Sequence, residues 1–251
     1  SARVIDLARE RGLALLTVGE RGSTLRLAER SPGQLGQQLI IEAEGKTHKI
    51  SLPLIGAYQA ANALVAAGLV IATGGDVSTT LGNLSRLQPV RGRLERAVIT
   101  QSGAPVYVDY AHTPDALENV LATIAAFQQN NKVITVVGCG GDRDKAKRPQ
   151  MAAIAAARSQ QVVLTSDNPR TEDPQQIIAD MEAGLDAADA SRTLAVLDRK
   201  QAIKTALLLA QPGDIVLIAG KGHETYQEVN GVRTSFDDVA ITKELFNQLD
   251  K

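Results

Sequence analysis

Apolar and polar positions change rhythm near residue 90. Before it, short alternating segments at 14–18, 24–28, 39–43 and 47–52 are separated by Gly, Ser and Pro, with Glu44-Gly45-Lys46 as a hairpin-like turn. That period-two pattern predicts closely spaced strands. An Ala-rich helix is predicted over 57–73, closed by Gly74-Gly75, and a second over 77–87, started after Asp76 and stopped by Gln88-Pro89. From about residue 91, apolar runs alternate with helical segments. The run 106–110 leads to a helix over 114–128, with Thr113 at the N-cap and Pro114 in the first helical position. Runs at 133–137, 162–165 and 194–197 lead to helices over 148–158, 174–188 and 199–210, and 215–219 follows. Asn230-Gly231 marks a hairpin and 239–249 a closing helix. Five short apolar runs, most of them separated by helices, predict an α/β fold. Its largely parallel sheet is covered by helices on both faces and preceded by a separate region, with the boundary in 88–93.

Composition narrows the function. The chain has 251 residues, 44% hydrophobic and 22% charged, as expected of an ordinary globular protein. A net charge of −1 provides no basic field for nucleic acid, and 3% aromatic residues with no Trp provide no stacking platform. Cys139 is the single cysteine, so neither an internal disulfide nor a zinc cluster is available, which fits a reducing cytoplasm. No apolar run approaches the ~20 residues of a membrane span, and the N-terminal stretch has no apolar signal core. The expectation is a cytoplasmic protein with no nucleic-acid or membrane partner.

In an open parallel sheet, ligands bind beyond the carboxyl ends of the strands. The segments that follow the strands there are Asp109-Tyr110-Ala111-His112-Thr113-Pro114, Gly138-Cys139-Gly140-Gly141-Asp142-Arg143-Asp144-Lys145, Ser166-Asp167-Asn168-Pro169-Arg170 and Gly220-Lys221-Gly222-His223-Glu224. Each has a purely structural reading: a helix cap, a tight glycine turn, an Asx-Pro turn, a flexible hinge. Arg170 is the residue a turn does not need. The glycine-rich loop also resembles a degraded dinucleotide fingerprint, but its G-x-G-x-x-G spacing fails, which disfavours an NAD-binding oxidoreductase. Arg143 and Arg170 can grip carboxylates bidentately, and Glu224 can accept from an ammonium group. Asp109, His112 and the glycine amides suit a nucleotide's ribose or phosphates. His112 and His223 lack a third partner at metal-ligand spacing, so no metal site is expected in the chain.

The stretches GAYQAANALVAAG (56–68), GRLE (92–95), VDYAHTPDAL (108–117), GCGGDRDKAKRP (138–149), SDNPRTEDP (166–174) and AGKGHE (219–224) resemble, in this order, the Mur ligases of peptidoglycan synthesis, most closely the diaminopimelate-adding branch. The resemblance implies a monomeric ATP- and Mg2+-dependent ligase in which ATP phosphorylates the D-glutamyl γ-carboxylate of a UDP-MurNAc-dipeptide. The amino group of meso-2,6-diaminopimelate then attacks the acyl phosphate. It implies that residues 1–90 are the end of a central ATP-binding domain and residues 91–251 a Rossmann-like domain receiving the amino acid. Under it, Asn62 faces the adenine, Arg93 the γ-phosphate and Asp109 the ribose, with Tyr110 and His112 nearby. Arg143, Asp167, Asn168, Pro169, Arg170, Gly220 and Glu224 hold diaminopimelate. Gln59 departs from the asparagine often seen at its place. The family's G-T-N-G-K-T phosphate loop does not occur in this sequence, so the chain is expected to be a C-terminal half that does not catalyse alone. A lysine-adding ligase is the nearest alternative, and Arg170 argues against it because lysine has no distal carboxylate. A non-catalytic amino-acid-binding module is a further alternative for the isolated chain.

Overall fold

The structure, a computed structural model, describes residues 2–128 and 131–249, so the ends of the predicted domains at residues 1, 250 and 251 lie outside the described residues. The chain divides into two compact units, one through Gln88 and one from Pro89 onward.

The first unit runs α1 (Ala2–Glu10), β1 (Val18–Gly19), β2 (Leu25–Gly33), β3 (Gly36–Ala43), β4 (Lys46–Leu52), α2 (Ala57–Ala72) and α3 (Val77–Asn83), closed by a 3-10 turn at Leu84–Arg86. Its sheet has the order β1-β2-β3-β4, antiparallel except for the β1–β2 pair. Glu44 and Gly45 both take positive φ in the β3–β4 turn, as a two-residue primed turn requires. Residues Ala60, Ala63, Leu64 and Ala67 put one stripe of α2 against Leu39, Ile41 and Leu52 of the sheet. Two predicted elements shrink. Of the segment 14–18 only Val18 joins a strand, because the Thr17 carbonyl instead receives the Thr24 and Leu25 N–H groups around a tight turn. The predicted helix 77–87 stops at Asn83, where the buried Leu84 opens a 3-10 turn.

The second unit runs β5 (Glu95–Ile99), β6 (Pro105–Asp109), α4 (Pro114–Ala125), β7 (Val133–Cys139), α5 (Lys147–Arg158), β8 (Gln161–Ser166), α6 (Pro174–Glu182), α7 (Ala187–Ala190), β9 (Thr193–Ala195), α8 (Arg199–Leu209), β10 (Ile215–Ala219), a hairpin of β11 (Tyr226–Val229) and β12 (Val232–Ser235), and α9 (Asp238–Leu249). The six-stranded sheet has the order β5-β6-β10-β7-β8-β9, with β6 to β10 parallel and β5 antiparallel on the edge. β6, β7 and β10 are buried along their whole length, which is why they read as continuous apolar runs. Alternate residues Val106, Val108, Ile134, Val136, Val216 and Ile218 pack on Ala202, Ile203 and Ala206 of α8 and on Val239 and Leu245 of α9. Helices α4, α5 and α6 cover the opposite face. Each fully buried Val or Ile contributes about 1.5–3 kcal/mol.

The helix predicted over 174–188 is two helices. α6 ends at Glu182, where the Gly184 and Leu185 N–H groups turn back to the Met181 and Glu182 carbonyls at 3.0 and 2.9 Å; Gly184 lies so close to the Pro149 carbonyl that a Cβ there would come within 2.1 Å of its oxygen. Asp186 then caps α7 by accepting the Asp189 N–H at 2.7 Å.

Strand β10 is inserted between β6 and β7, so the chain order reverses there. The register aligns Ala219 with Asp109, Ile218 with Val136, and Cys139 with Ser166. The loops after β6, β10, β7 and β8 therefore stand side by side on one edge, at the crevice such a reversal creates.

Candidate functional site

The loop after β6 is anchored by Asp109, which is 5% exposed. Its Oδ2 accepts the Leu94 N–H at 2.7 Å, and the Ala111 N–H also donates to its carboxylate. Burial pushes the carboxyl pKa up, while the two N–H donors and the Arg93 charge pull against that rise. Tyr110 donates its N–H to the Gly92 carbonyl at 2.8 Å. Gly92 has φ +68° and lies against the backbone of the β10 loop; a Cβ there would come within 2.2 Å of the His223 nitrogen. The Tyr110 ring gathers three partners: His112 at 4.4 Å and His223 at 4.9 Å between ring centroids, and the Arg93 guanidinium 5.0 Å from its centroid. His112 Nδ1 donates to the Tyr110 carbonyl at 2.8 Å, since a carbonyl only accepts. Arg93 is exposed, and its guanidinium makes no hydrogen bond among the described residues.

The loops after β7 and β8 are tied into one body. The Gly141 N–H donates to the Asn168 carbonyl at 2.9 Å, and Arg170 Nη1 donates to the Gly141 carbonyl at 2.7 Å. Asp142 accepts the Thr171 hydroxyl at 2.8 Å. Glu172 accepts from the Asp142 N–H at 2.6 Å, from Arg148 Nη2 at 2.8 Å and from Lys145 at 3.0 Å. The Arg148 bond, then the Asp142 N–H and Lys145, hold the Glu172 carboxyl at about 2. Arg148, fully buried on α5, also reaches Asp180 of α6 at 2.8 Å. Arg170 sits at φ +51°; its N–H donates to the Glu228 carbonyl at 3.0 Å and its carbonyl accepts the Asn230 N–H at 2.7 Å. This ties the β11–β12 hairpin to the β8 loop and leaves the guanidinium beside Gly140 and Gly141. Arg143 is exposed, its Nη1 donating only to the Asp142 carbonyl at 2.9 Å.

After β10, Gly220 has φ +119°, and a Cβ there would stand 3.0 Å from Asp167 Oδ2. Lys221 follows, fully buried, with Nζ donating to Asn168 Oδ1 at 2.9 Å and Asp167 Oδ1 at 3.2 Å, and lying 3.5 Å from Glu224 Oε2. Asn168 Nδ2 donates to Glu224 Oε2 at 2.9 Å.

Of the residues singled out in the sequence, the structure brings Asp167, Asn168, Gly220 and Glu224 into direct contact, with Arg170 and Pro169 on the same loop. Arg93, Asp109, Tyr110 and His112 form a second cluster at the neighbouring strand end. Arg143 lies on the exposed part of the β7 loop, and Asn62 on the exposed face of α2 in the first unit. Sequence reasoning assigned no role to Lys221, Arg148 or Glu172. The available signal for Lys221 was a lysine between two glycines at the end of a buried strand; Arg148 and Glu172 gave none, because their pairing spans two loops.

These features define a Rossmann-like α/β domain whose loop edge carries two guanidinium groups, a carboxylate cluster and a cation–ring cluster, the equipment for a small ligand of mixed charge. Residues 92–222 match the family description "Mur ligase, glutamate ligase domain". The chain belongs to the Mur ligase family. It is 48% identical over 247 residues to a UDP-N-acetylmuramoyl-L-alanyl-D-glutamate–2,6-diaminopimelate ligase of Zymomonas mobilis subsp. mobilis, covering 96% of this chain and 49% of the relative. It is 52% identical over 201 residues to the protein of the same name from Bacteroides thetaiotaomicron, covering 80% of this chain and 42% of that one. A solved structure of a ligase with that name superimposes on 100% of this chain and 52% of its own, with a TM-score of 0.73 and 36% identity. The chain thus spans about half the length of the relatives it matches.

Proposed function

We propose that this chain is the C-terminal half of an ATP-dependent amide ligase that adds meso-2,6-diaminopimelate to UDP-MurNAc-L-Ala-D-Glu in peptidoglycan synthesis. The observation that carries the reading is the pairing, on one sheet edge, of acidic groups for an ammonium (Asp167, Glu224) with guanidinium groups for carboxylates (Arg170, Arg143). Diaminopimelate carries both charge types at both ends. Glu224 Oε1 makes no hydrogen bond among the described residues and can accept an ammonium. Pro169 and Gly220 shape the two loops that bring these groups together. Glu172 and Arg148 lock the loop that presents Arg170.

The second cluster fits the nucleotide. Arg93, held only by its ring contact, is available to a γ-phosphate, a role its planar donor fork suits. Asp109 is assigned to the ribose, with Tyr110 and His112 beside it in the loop, and Asn62 to the adenine by the family resemblance alone; Asp109 also anchors its own loop through Oδ2. ATP, with magnesium, supplies the phosphoryl group that activates the acceptor carboxylate. This chain's residues hold the amine in place for attack and neutralise charge around it. Among the described residues no three His, Cys, Asp or Glu side chains form a cation site, and magnesium is assigned to none of them. No helix among the described residues is long and apolar enough to cross a membrane; the reading places the protein in the cytoplasm, where its nucleotide substrates are.

Calorimetric titration of the chain with meso-diaminopimelate and with L-lysine tests the reading. A site whose guanidinium pairs with a distal carboxylate discriminates against the analogue lacking it by up to ~10⁴. Equal binding of the two would favour the lysine-adding alternative, and binding of neither would remove the amino-acid assignment.

A further inference from the structure

One fully buried cation at the loop edge, Lys221, carries no assigned role. Each of its three Nζ partners, Asp167, Asn168 and Glu224, is a residue assigned to the amino acid. The positive φ values of Gly220 and Gly222 on either side turn the chain inward at this point; a Cβ on Gly222 would come within 2.5 Å of the Tyr110 side chain.

The donor inventory settles the orientation of Asn168. An ammonium and a backbone N–H can only donate, and both Lys221 Nζ at 2.9 Å and the Glu228 N–H at 3.0 Å point at the same Asn168 atom. That atom is Oδ1, so Nδ2 must face Glu224, with one N–H spent there and the second making no hydrogen bond among the described residues. Charge is set by the same contact. Asp167 and Glu224 contribute two negative charges and Lys221 one positive. Arg199 of α8 also acts on both carboxylates and is already paired with Asp238 of α9 at 2.7 Å. From β6 the Tyr110 phenol and from β7 the Cys139 thiol face Asp167, both neutral because burial raises their pKa values, and from β11 the Tyr226 ring lies 5.7 Å from Nζ.

We propose that Lys221 is the positioning residue of the amino-acid site. It fixes the Asn168 amide with one N–H left without a partner among the described residues, and it leaves the Asp167–Glu224 pair with one net negative charge, matched to a single ligand ammonium. The inference rests on the amino-acid reading and adds the residue that sets its charge. Without the Lys221 ammonium, the Asn168 amide loses the donor that orients it, and the two carboxylates stand with no cation between them.

The test is calorimetric titration of the full chain with meso-diaminopimelate for wild type, Lys221→Met and Lys221→Arg. Lys221→Met, which removes the charged donor, is expected to bind at least ~10-fold more weakly. Lys221→Arg, which keeps the cation, is expected to restore most of the wild-type affinity, an outcome a merely structural role would not produce. Wild-type affinity in Lys221→Met would overturn the proposal. Should Lys221→Met fail to fold, the ¹⁵Nζ resonance of Lys221 in the wild-type chain decides: it should move with the Asn168 side-chain amide on saturation, and an unmoved signal overturns the proposal. A wild-type chain that binds no diaminopimelate overturns the substrate reading and this inference with it, whereas binding with an unmoved Lys221 overturns the inference alone.

Discussion

Glu172 shows how a residue remote from any ligand can control one that is not. Its carboxylate takes donors from Arg148, Lys145 and the Asp142 N–H, and so joins the β7 loop, α5 and the loop carrying Arg170. Its pKa is held at about 2 against an ordinary 4.5. A folded-state value below the unfolded one adds stability that is complete above about 4.5 and is lost as pH falls toward 2. We therefore expect Glu172→Gln to melt below wild type at pH 7, with the gap narrowing steadily between pH 5 and pH 2. Thermal melts across that range check it, and a gap independent of pH would remove the ionic role. The legible part of this site was its chemistry: Arg170, Asp167 and Glu224 announced themselves as charges at strand ends. The lock was not legible, because Arg148 reads as an ordinary first-turn helix residue and Glu172 as one acid in a polar loop. Only the fold brings them within 2.8 Å.

At the scale of elements, the parallel strands could be read because burial on both faces leaves them almost wholly apolar. The misses have separate causes. β5, an edge strand with only Ala97 buried along it, carries no such run. At the break between α6 and α7 the Gly184 backbone packs closely on Pro149, a contact no helical periodicity encodes. The buried pair that fastens the last two helices was equally hidden. Arg199 at the start of α8 donates to Asp238 at the start of α9 through Nε at 2.9 Å and Nη2 at 2.7 Å, and to the Ala219 carbonyl at 3.1 Å. Both side chains are fully buried. Removing one partner leaves a charge stranded in the core, so Asp238→Ala should cost about 3–5 kcal/mol in urea unfolding. The double variant Arg199→Met/Asp238→Leu should lose clearly less, because an apolar pair of similar volume carries no stranded charge. A double variant as unstable as the single one would show that the Ala219 contact, rather than the charge pair, is what matters.

For the whole molecule, the division at Gln88 and Pro89 separates two cores, and every residue assigned to the amino acid belongs to the second. The rhythm change near residue 90 was visible because the two units bury apolar residues with different periods. The assignment of the first unit to a nucleotide-binding domain remains our proposal, carried by its resemblance and by Asn62 alone. If the division is also functional, residues 89–251 expressed separately should fold and keep the full chain's affinity for diaminopimelate. At a ligand concentration 100 times Kd, binding to the native state adds about 2.7 kcal/mol. For a domain of this size each kcal/mol raises Tm by roughly 2–4 °C, so a shift of about 5–10 °C is expected. Calorimetry of the full chain should then resolve a ligand-sensitive transition from one that does not move. Loss of binding in the excised unit, with its melting transition intact, would mean that the amino-acid site needs residues from before Pro89.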